Sequence, residues 1–278
     1  MDWKRILSRL MISAITVLVL AAIGLSALLY FAQDRLIFYP QAAPGIPPRA
    51  ADLTISEVQI ATPDGLTLRG WLAKPGSVDI PRLPLAIYFG GNAEEVSHMA
   101  TLAGRLPGWA LLAVNYRGYG GNAGSPSERA LCADALVLHD WAIRRPDVDP
   151  ARIVAIGRSL GSGVAVYLAA ERPLAGVVLT TPYDSLRAVA QRHYPYAPVS
   201  LLLKHSFDSI GRAPHISTSL LLLAARRDNI VPVAHARALF SKWAGPKTWR
   251  EFAEAGHNDL DADPEYWKAM AAFFAQRT

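Results

Sequence analysis

The chain has 278 residues, 51% of them hydrophobic, a formal charge of +5 and a single cysteine. One cysteine excludes an intrachain disulfide framework. The basic residues are scattered with no long cluster, so the mild positive charge argues for a solvated or lipid-facing surface and against nucleic-acid binding.

Residues 11–32 carry no charged side chain and are nearly all apolar, matching the ~20 residues a helix needs to cross a bilayer core. A cleaved signal peptide is the rival, but its apolar stretch is usually ~7–15 residues. A small-x-small site such as Leu25-Ser26-Ala27 lies inside the run, not after it. An uncleaved anchor is therefore expected. Lys4, Arg5 and Arg9 precede it, which puts residues 1–10 in the cytoplasm and the large domain on the other side. Residues 33–52, with Pro40, Pro44, Pro47 and Pro48, read as an extended neck.

Roughly 230 residues follow, enough for one domain with its own core. The domain, 53–278, opens with two alternating stretches, 54–60 and 66–72, around Thr62-Pro63-Asp64-Gly65, which predict a hairpin with one wet face. Near-continuous apolar runs then appear at 83–89, 110–116, 153–156, 176–180 and 220–224. Helical patterns lie between most of them, at 94–106, 127–144, 160–171 and 232–243, and a last strand (248–253) and helix (264–276) close the chain. Buried strands alternating with helices predict an α/β fold with a mostly parallel sheet covered on both faces. Residues 185–214, rich in bulky residues and proline, break the rhythm. They read as a crossover helix, as a small cap supplying an apolar acyl pocket, or as both.

The stretch Gly157-Arg158-Ser159-Leu160-Gly161 lies between an apolar strand and a helical run. Strand, G-x-S-x-G, helix is the pattern of a nucleophile elbow, where a sharp turn lifts a serine hydroxyl above the sheet. A serine needs a base to take its proton, and that base needs an orienting partner. Ligands in such folds sit at the carboxyl ends of strands, and Asp228 and His257 fall just after the strands at 220–224 and 248–253. Asp184, after 176–180, stays open as a rival acid. His98, His139, His193, His205, His215 and His235 read as surface or packing residues, without the H-E-x-x-H pairing of a zinc site. Cys132, inside a helical pattern, reads as a buried structural thiol. Residues 118–123 match G-x-G-x-x-A but open no helix at once, so they read as a mobile loop near the site, not a dinucleotide site. The segment 157–163 lacks the Gly-Lys-Ser/Thr ending of a phosphate loop.

The motifs Phe38-Tyr39-Pro40, Tyr88-Phe89-Gly90-Gly91-Asn92-Ala93, Asn115-Tyr116-Arg117-Gly118-Tyr119-Gly120, Ser125-Pro126-Ser127-Glu128, the elbow, Asp228 to Pro232 and Gly256-His257-Asn258 occur in that order. Together they resemble the alpha/beta hydrolases, more narrowly the membrane-anchored abhydrolase-domain proteins, over nearly everything from about residue 35 onward. The resemblance implies Ser159 as nucleophile, His257 as general base and acid, and Asp228 as the orienting acid. It implies an oxyanion hole of backbone N–H groups from Leu160 and from the turn at Gly90-Gly91-Asn92. Where the family usually has His-Gly the chain has Gly90-Gly91, which leaves Asn92, with Gly91 second, as the other donor. No cofactor or metal is implied. The expected substrates are lipid-like or acylated carboxylic esters or thioesters; a peptidase of the same fold and a non-catalytic tethered binding protein are the alternatives. The oligomeric state is not legible.

Overall fold

The computed structural model describes residues 3–41, 43, 45–76 and 80–277. Its first element is a single helix, α1 (Trp3–Ile37). At 1.5 Å per residue it is about 50 Å long, well beyond a ~30 Å hydrocarbon core. The side chains of its apolar stretch are exposed, as a candidate membrane span requires. The helix runs five residues past the expected boundary, so 33–37 are helical and not extended neck. Gln33 explains the extension. Its Nε2 donates to the carbonyl of Leu202 at 3.0 Å, and its Oε1 accepts from the Lys204 N–H at 2.7 Å, which ties this turn to the domain. Beyond the helix the chain is irregular as expected; Ala42 and Pro44 lie outside the described residues.

Eight strands form one sheet among the described residues: β1 (Leu53–Ala61), β2 (Thr67–Pro75), β3 (Leu83–Phe89), β4 (Ala110–Val114), β5 (Val148–Arg158), β6 (Gly176–Thr180), β7 (Leu220–Ala225) and β8 (Lys247–Phe252). Their order is β1-β2-β4-β3-β5-β6-β7-β8. The β1–β2 hairpin and the β2–β4 contact are antiparallel, and every later pairing is parallel. The continuous apolar runs are buried throughout, as helices on both faces demand. Alternate residues of each strand feed separate cores. Leu85, Ile87, Leu112, Ala155, Val177 and Leu222 pack on one face. They meet α2 (Glu128–Ala142), α3 (Leu160–Glu171) and α7 (Val233–Lys242), α4 to α6 being the short helices described below. Ala86, Tyr88, Leu111, Val154, Val178 and Leu221 pack on the other, against α8 (Pro264–Ala275).

Two segments depart from expectation. The pattern at 94–106 forms a 3-10 helix only over Ser97–Arg105. Glu94 and Glu95 are turned into loop contacts, Glu94 with the Gly91 N–H and Glu95 with Ser97 and Asn115. Three residues per turn then set Ala100, Ala103 and Leu106 against the sheet. The loop around Gly118, Gly120 and Gly121 is not loose and does not line the cavity described below. The Asn122 side chain accepts from the Arg69 N–H at 2.9 Å and donates to the Asn115 carbonyl at 2.7 Å. Arg117 grips buried Asp134 with two nitrogens, at 2.8 and 2.5 Å, and reaches Asp64 at 2.8 Å. The glycines are there for their positive φ, between 54° and 87° over Gly118, Gly120, Gly121 and Gly124.

The expected cap, 185–214, is a run of short helices: α4 (Leu186–His193), α5 (Val199–Leu202) and α6 (Ser209–Arg212). Ser185 caps α4 by accepting the Ala188 N–H. Cys132 is buried in α2, and burial pushes its thiol up to about 12, which keeps it protonated and inert. Arg117→Ala leaves the Asp134 carboxylate buried without its partner, a loss of about 3–5 kcal/mol. The expected result is a thermal midpoint in detergent lowered by roughly 10 °C; Asp134→Asn together with Arg117→Met recovers part of it.

Candidate active site

The elbow is built by steric constraint. Ser159 sits between β5 and α3 at φ +50°, ψ −116°, a backbone state that costs of order 1–3 kcal/mol and persists only where its surroundings enforce it. The enforcement is visible on both sides. A Cβ on Gly157 would lie 2.5 Å from the Gly161 carbonyl oxygen, and one on Gly161 would lie 2.1 Å from that of Phe89. Only glycine lets the first turn of α3 come this close to the ends of β5 and β3. The Ser159 N–H is fixed to the Thr180 carbonyl of β6 at 3.0 Å.

Asp228 follows β7, and His257 lies in the loop after β8; both are about 7% exposed. His257 Nε2 stands 2.8 Å from Ser159 Oγ, and its Nδ1 stands 2.6 Å from Asp228 Oδ2. The second carboxylate oxygen of Asp228 accepts the N–H groups of Ile230 and Val231, at 2.9 and 2.7 Å. The aspartate is thus held from two sides, and His257 is left with one orientation. Asp259 steadies the histidine loop by accepting the Gly256 N–H at 2.6 Å. The rival acid is engaged elsewhere: Asp184 lies 2.9 Å from His235 Nδ1 and caps its own turn at Ser185.

The turn after β3 reaches the same place. A Cβ on Gly91 would lie 3.9 Å from the Ser159 Cβ. The two expected donors of this turn differ, however. The Gly91 N–H is spent on Glu94 Oε2 at 2.7 Å, whereas no described residue accepts the Asn92 N–H. Leu160 contributes a first-turn N–H of α3, which a helix cannot satisfy internally. The Asn92 carbonyl accepts from the Tyr39 N–H and from the Tyr119 hydroxyl, which fixes the peptide plane joining Asn92 to Ala93.

Glu94 was not singled out by the sequence, yet it organises this corner. It is buried and accepts from Tyr88 Oη at 2.9 Å and from Gly91, with Arg158 Nη1 at 3.5 Å. Burial, and then the Glu94 charge, raise the Tyr88 hydroxyl well above its ordinary range, so it remains a donor. Arg158, the variable residue of the elbow, also reaches Asn258 Oδ1 at 3.2 Å. The only available signal was adjacency: Glu94 follows the Gly90-Gly91-Asn92-Ala93 turn, and Arg158 precedes the serine.

Ser159, Leu160, Gly91, Asn92 and His257 line one cavity of about 1000 Å³. Its polar lining includes Glu94, Glu95, His98, Arg158, His193, Asn229 and Asn258. Its apolar lining includes Leu186, Val189, Val199 and Leu203 from the 185–214 segment and Leu29, Leu36 and Ile37 from α1. Of the histidines read as surface or packing residues, His98 and His193 line this cavity, while His205 packs against Phe38 and pairs with Asp34 at 2.8 Å.

No family model matches the chain. It is 39% identical to the uncharacterized protein Rv2307c of Mycobacterium tuberculosis, over 88% of this chain and 87% of that one. It is 26% identical to the alpha/beta hydrolase domain-containing protein WAV2 of Arabidopsis thaliana, over 89% of each. The lysophosphatidylserine lipase ABHD12 of Rattus norvegicus is 32% identical over 61% of this chain, a match spanning 48% of that protein. Among solved structures, an acetyl xylan esterase from Paenibacillus sp. R4 superposes with a TM-score of 0.69 at 23% identity, covering 83% of this chain and 86% of that one. The Pyrococcus furiosus esterase Pf2001 superposes with 0.67 at 21%, covering 86% and 98%. The solved structures carry the fold and the relatives carry the kinship: the chain belongs to the alpha/beta-hydrolase superfamily.

Proposed function

We propose that the protein is a membrane-anchored serine hydrolase that cleaves carboxylic esters or thioesters of lipid-like substrates through a Ser159–His257–Asp228 triad. The observation that carries this reading is the continuous hydrogen-bonded chain from Ser159 Oγ through the His257 ring to Asp228, set in a cavity lined by both apolar and polar side chains. The name of the ABHD12 relative, a lysophosphatidylserine lipase, points to the same substrate class.

In this mechanism His257 Nε2 takes the Ser159 proton as Oγ attacks the carbonyl carbon. The developing oxyanion accepts from the N–H groups of Leu160 and Asn92. Asp228 holds His257 in the tautomer with the proton on Nδ1 and stabilises the imidazolium that forms. Collapse expels the alcohol or thiol with the proton from Nε2, leaving an acyl group on Ser159. His257 then deprotonates a water, which attacks the ester and releases the acid with the serine restored. The acyl chain lies against the apolar lining; the leaving group faces Arg158, His98 and Asn258. Glu94 acts at one remove: by taking the Gly91 N–H it leaves the Asn92 N–H turned to the site.

The anchor is oriented by Lys4, Arg5 and Arg9, with residues 1–10 cytoplasmic and the hydrolase domain on the far side.

Hydrolysis of a short acyl ester by the full chain in detergent tests the triad. Ser159→Ala is expected to lose about 10⁶-fold in kcat, and Asp228→Asn about 10⁴-fold. Turnover by Ser159→Ala within tenfold of the parent would refute the assignment. Protease added outside intact spheroplasts is expected to degrade the domain; full protection would reverse the orientation.

A further inference from the structure

The apolar lining of the catalytic cavity does not stop at the 185–214 segment. Leu29, Gln33, Leu36 and Ile37 of α1 form part of its wall. A second hollow of about 500 Å³ runs along α1, lined by Val19, Ala22, Ile23, Ala27, Tyr30 and, from α5, Leu202. Its walls are almost wholly apolar. Leu202 lines both spaces, and Gln33 holds the Leu202 carbonyl at 3.0 Å, so the residue that stands between them is fixed in place. Lys204 sits over the Tyr30 ring at 4.4 Å and ties the same stretch to α1.

The hollow has the dimensions of one bilayer leaflet. Val19 to Tyr30 spans about 16 Å along the helix axis, half of a ~30 Å hydrocarbon core. It occupies the half of the span next to the domain. The exposed apolar side chains of Phe31, at 77% and part of its wall, and of Leu201, at 81%, suit a surface that rests in lipid.

We propose that the groove along α1 is a binding site for the acyl chain of a membrane-resident ester, continuous at Leu202 with the catalytic cavity. The chain then stays at leaflet depth beside Val19 to Tyr30 while its carbonyl reaches Ser159. The anchor helix is part of the substrate site, and the lipid tail is not extracted into water. This rests on the hydrolase reading above and adds to it where the acyl chain lies and which residues measure it. Small side chains at Ala22 and Ala27 keep the groove open; a bulky residue there obstructs long chains selectively.

The test uses the full chain in phosphatidylcholine vesicles with two p-nitrophenyl esters, the soluble acetate and the vesicle-borne palmitate. The readout is the palmitate-to-acetate ratio of kcat/KM. Ala22→Trp and Ala27→Trp are each expected to lower this ratio roughly tenfold or more. Leu25→Trp, in the same stretch but lining neither space, is expected to leave the ratio unchanged. Where tryptophan prevents folding, seen as loss of both activities, Ala27→Leu makes the same comparison with a smaller fall. An unchanged ratio in the alanine variants, or an equal fall in Leu25→Trp, overturns the proposal. Failure of the hydrolase reading looks different: Ser159→Ala would then still cleave both esters.

Discussion

The contact on which the site depends is the approach of the first turn of α3 to the end of β3. There a Cβ on Gly161 would stand 2.1 Å from the Phe89 carbonyl oxygen. That closeness does two things together. It holds Ser159 in its positive-φ backbone state. It also brings the Gly90-Gly91-Asn92 turn beside the serine, with a Cβ on Gly91 3.9 Å from the Ser159 Cβ. His257 and Asp228 add little of their own strain; they arrive at the ends of β8 and β7 because the parallel sheet puts successive strand ends in one row.

A second constraint is the length of α1. A helix of 35 residues is longer than a hydrocarbon core, and its last turns are used by the domain. Gln33 bonds to backbone on both sides of Leu203, Asp34 meets His205, and Leu36 and Ile37 close the cavity. Removing α1 would therefore open one wall of the cavity.

Much of this was legible in the residues because the relevant signals are local. Continuous apolar runs marked the parallel strands, glycine spacing marked the elbow, and strand-end positions marked Asp228 and His257. The bounds of α3 were read without error, because Ser159 leaves the helix sharply and Glu171 ends it. What escaped was set by tertiary contact. The helical pattern at 94–106 gave way to a 3-10 turn because two of its carboxylates bond to the loop. The helix at 33–37 persists because Leu202 and Lys204, some 170 residues on, take up the Gln33 side chain. Glu94 carries no motif of its own, and its role depends on the direction in which it faces. That Glu94 already occupies the Gly91 N–H is likewise a contact no local signal announces.

The proposed triad requires an activated serine in the elbow, held by the hydrogen bonds to His257 and through it to Asp228. Labelling the full chain with a fluorophosphonate, followed by peptide mass analysis, tests this. The expected result is a single adduct on Ser159 that disappears in His257→Ala although the serine remains. Equal labelling of Ser159 in the parent and in His257→Ala, or an adduct on another residue, would contradict it.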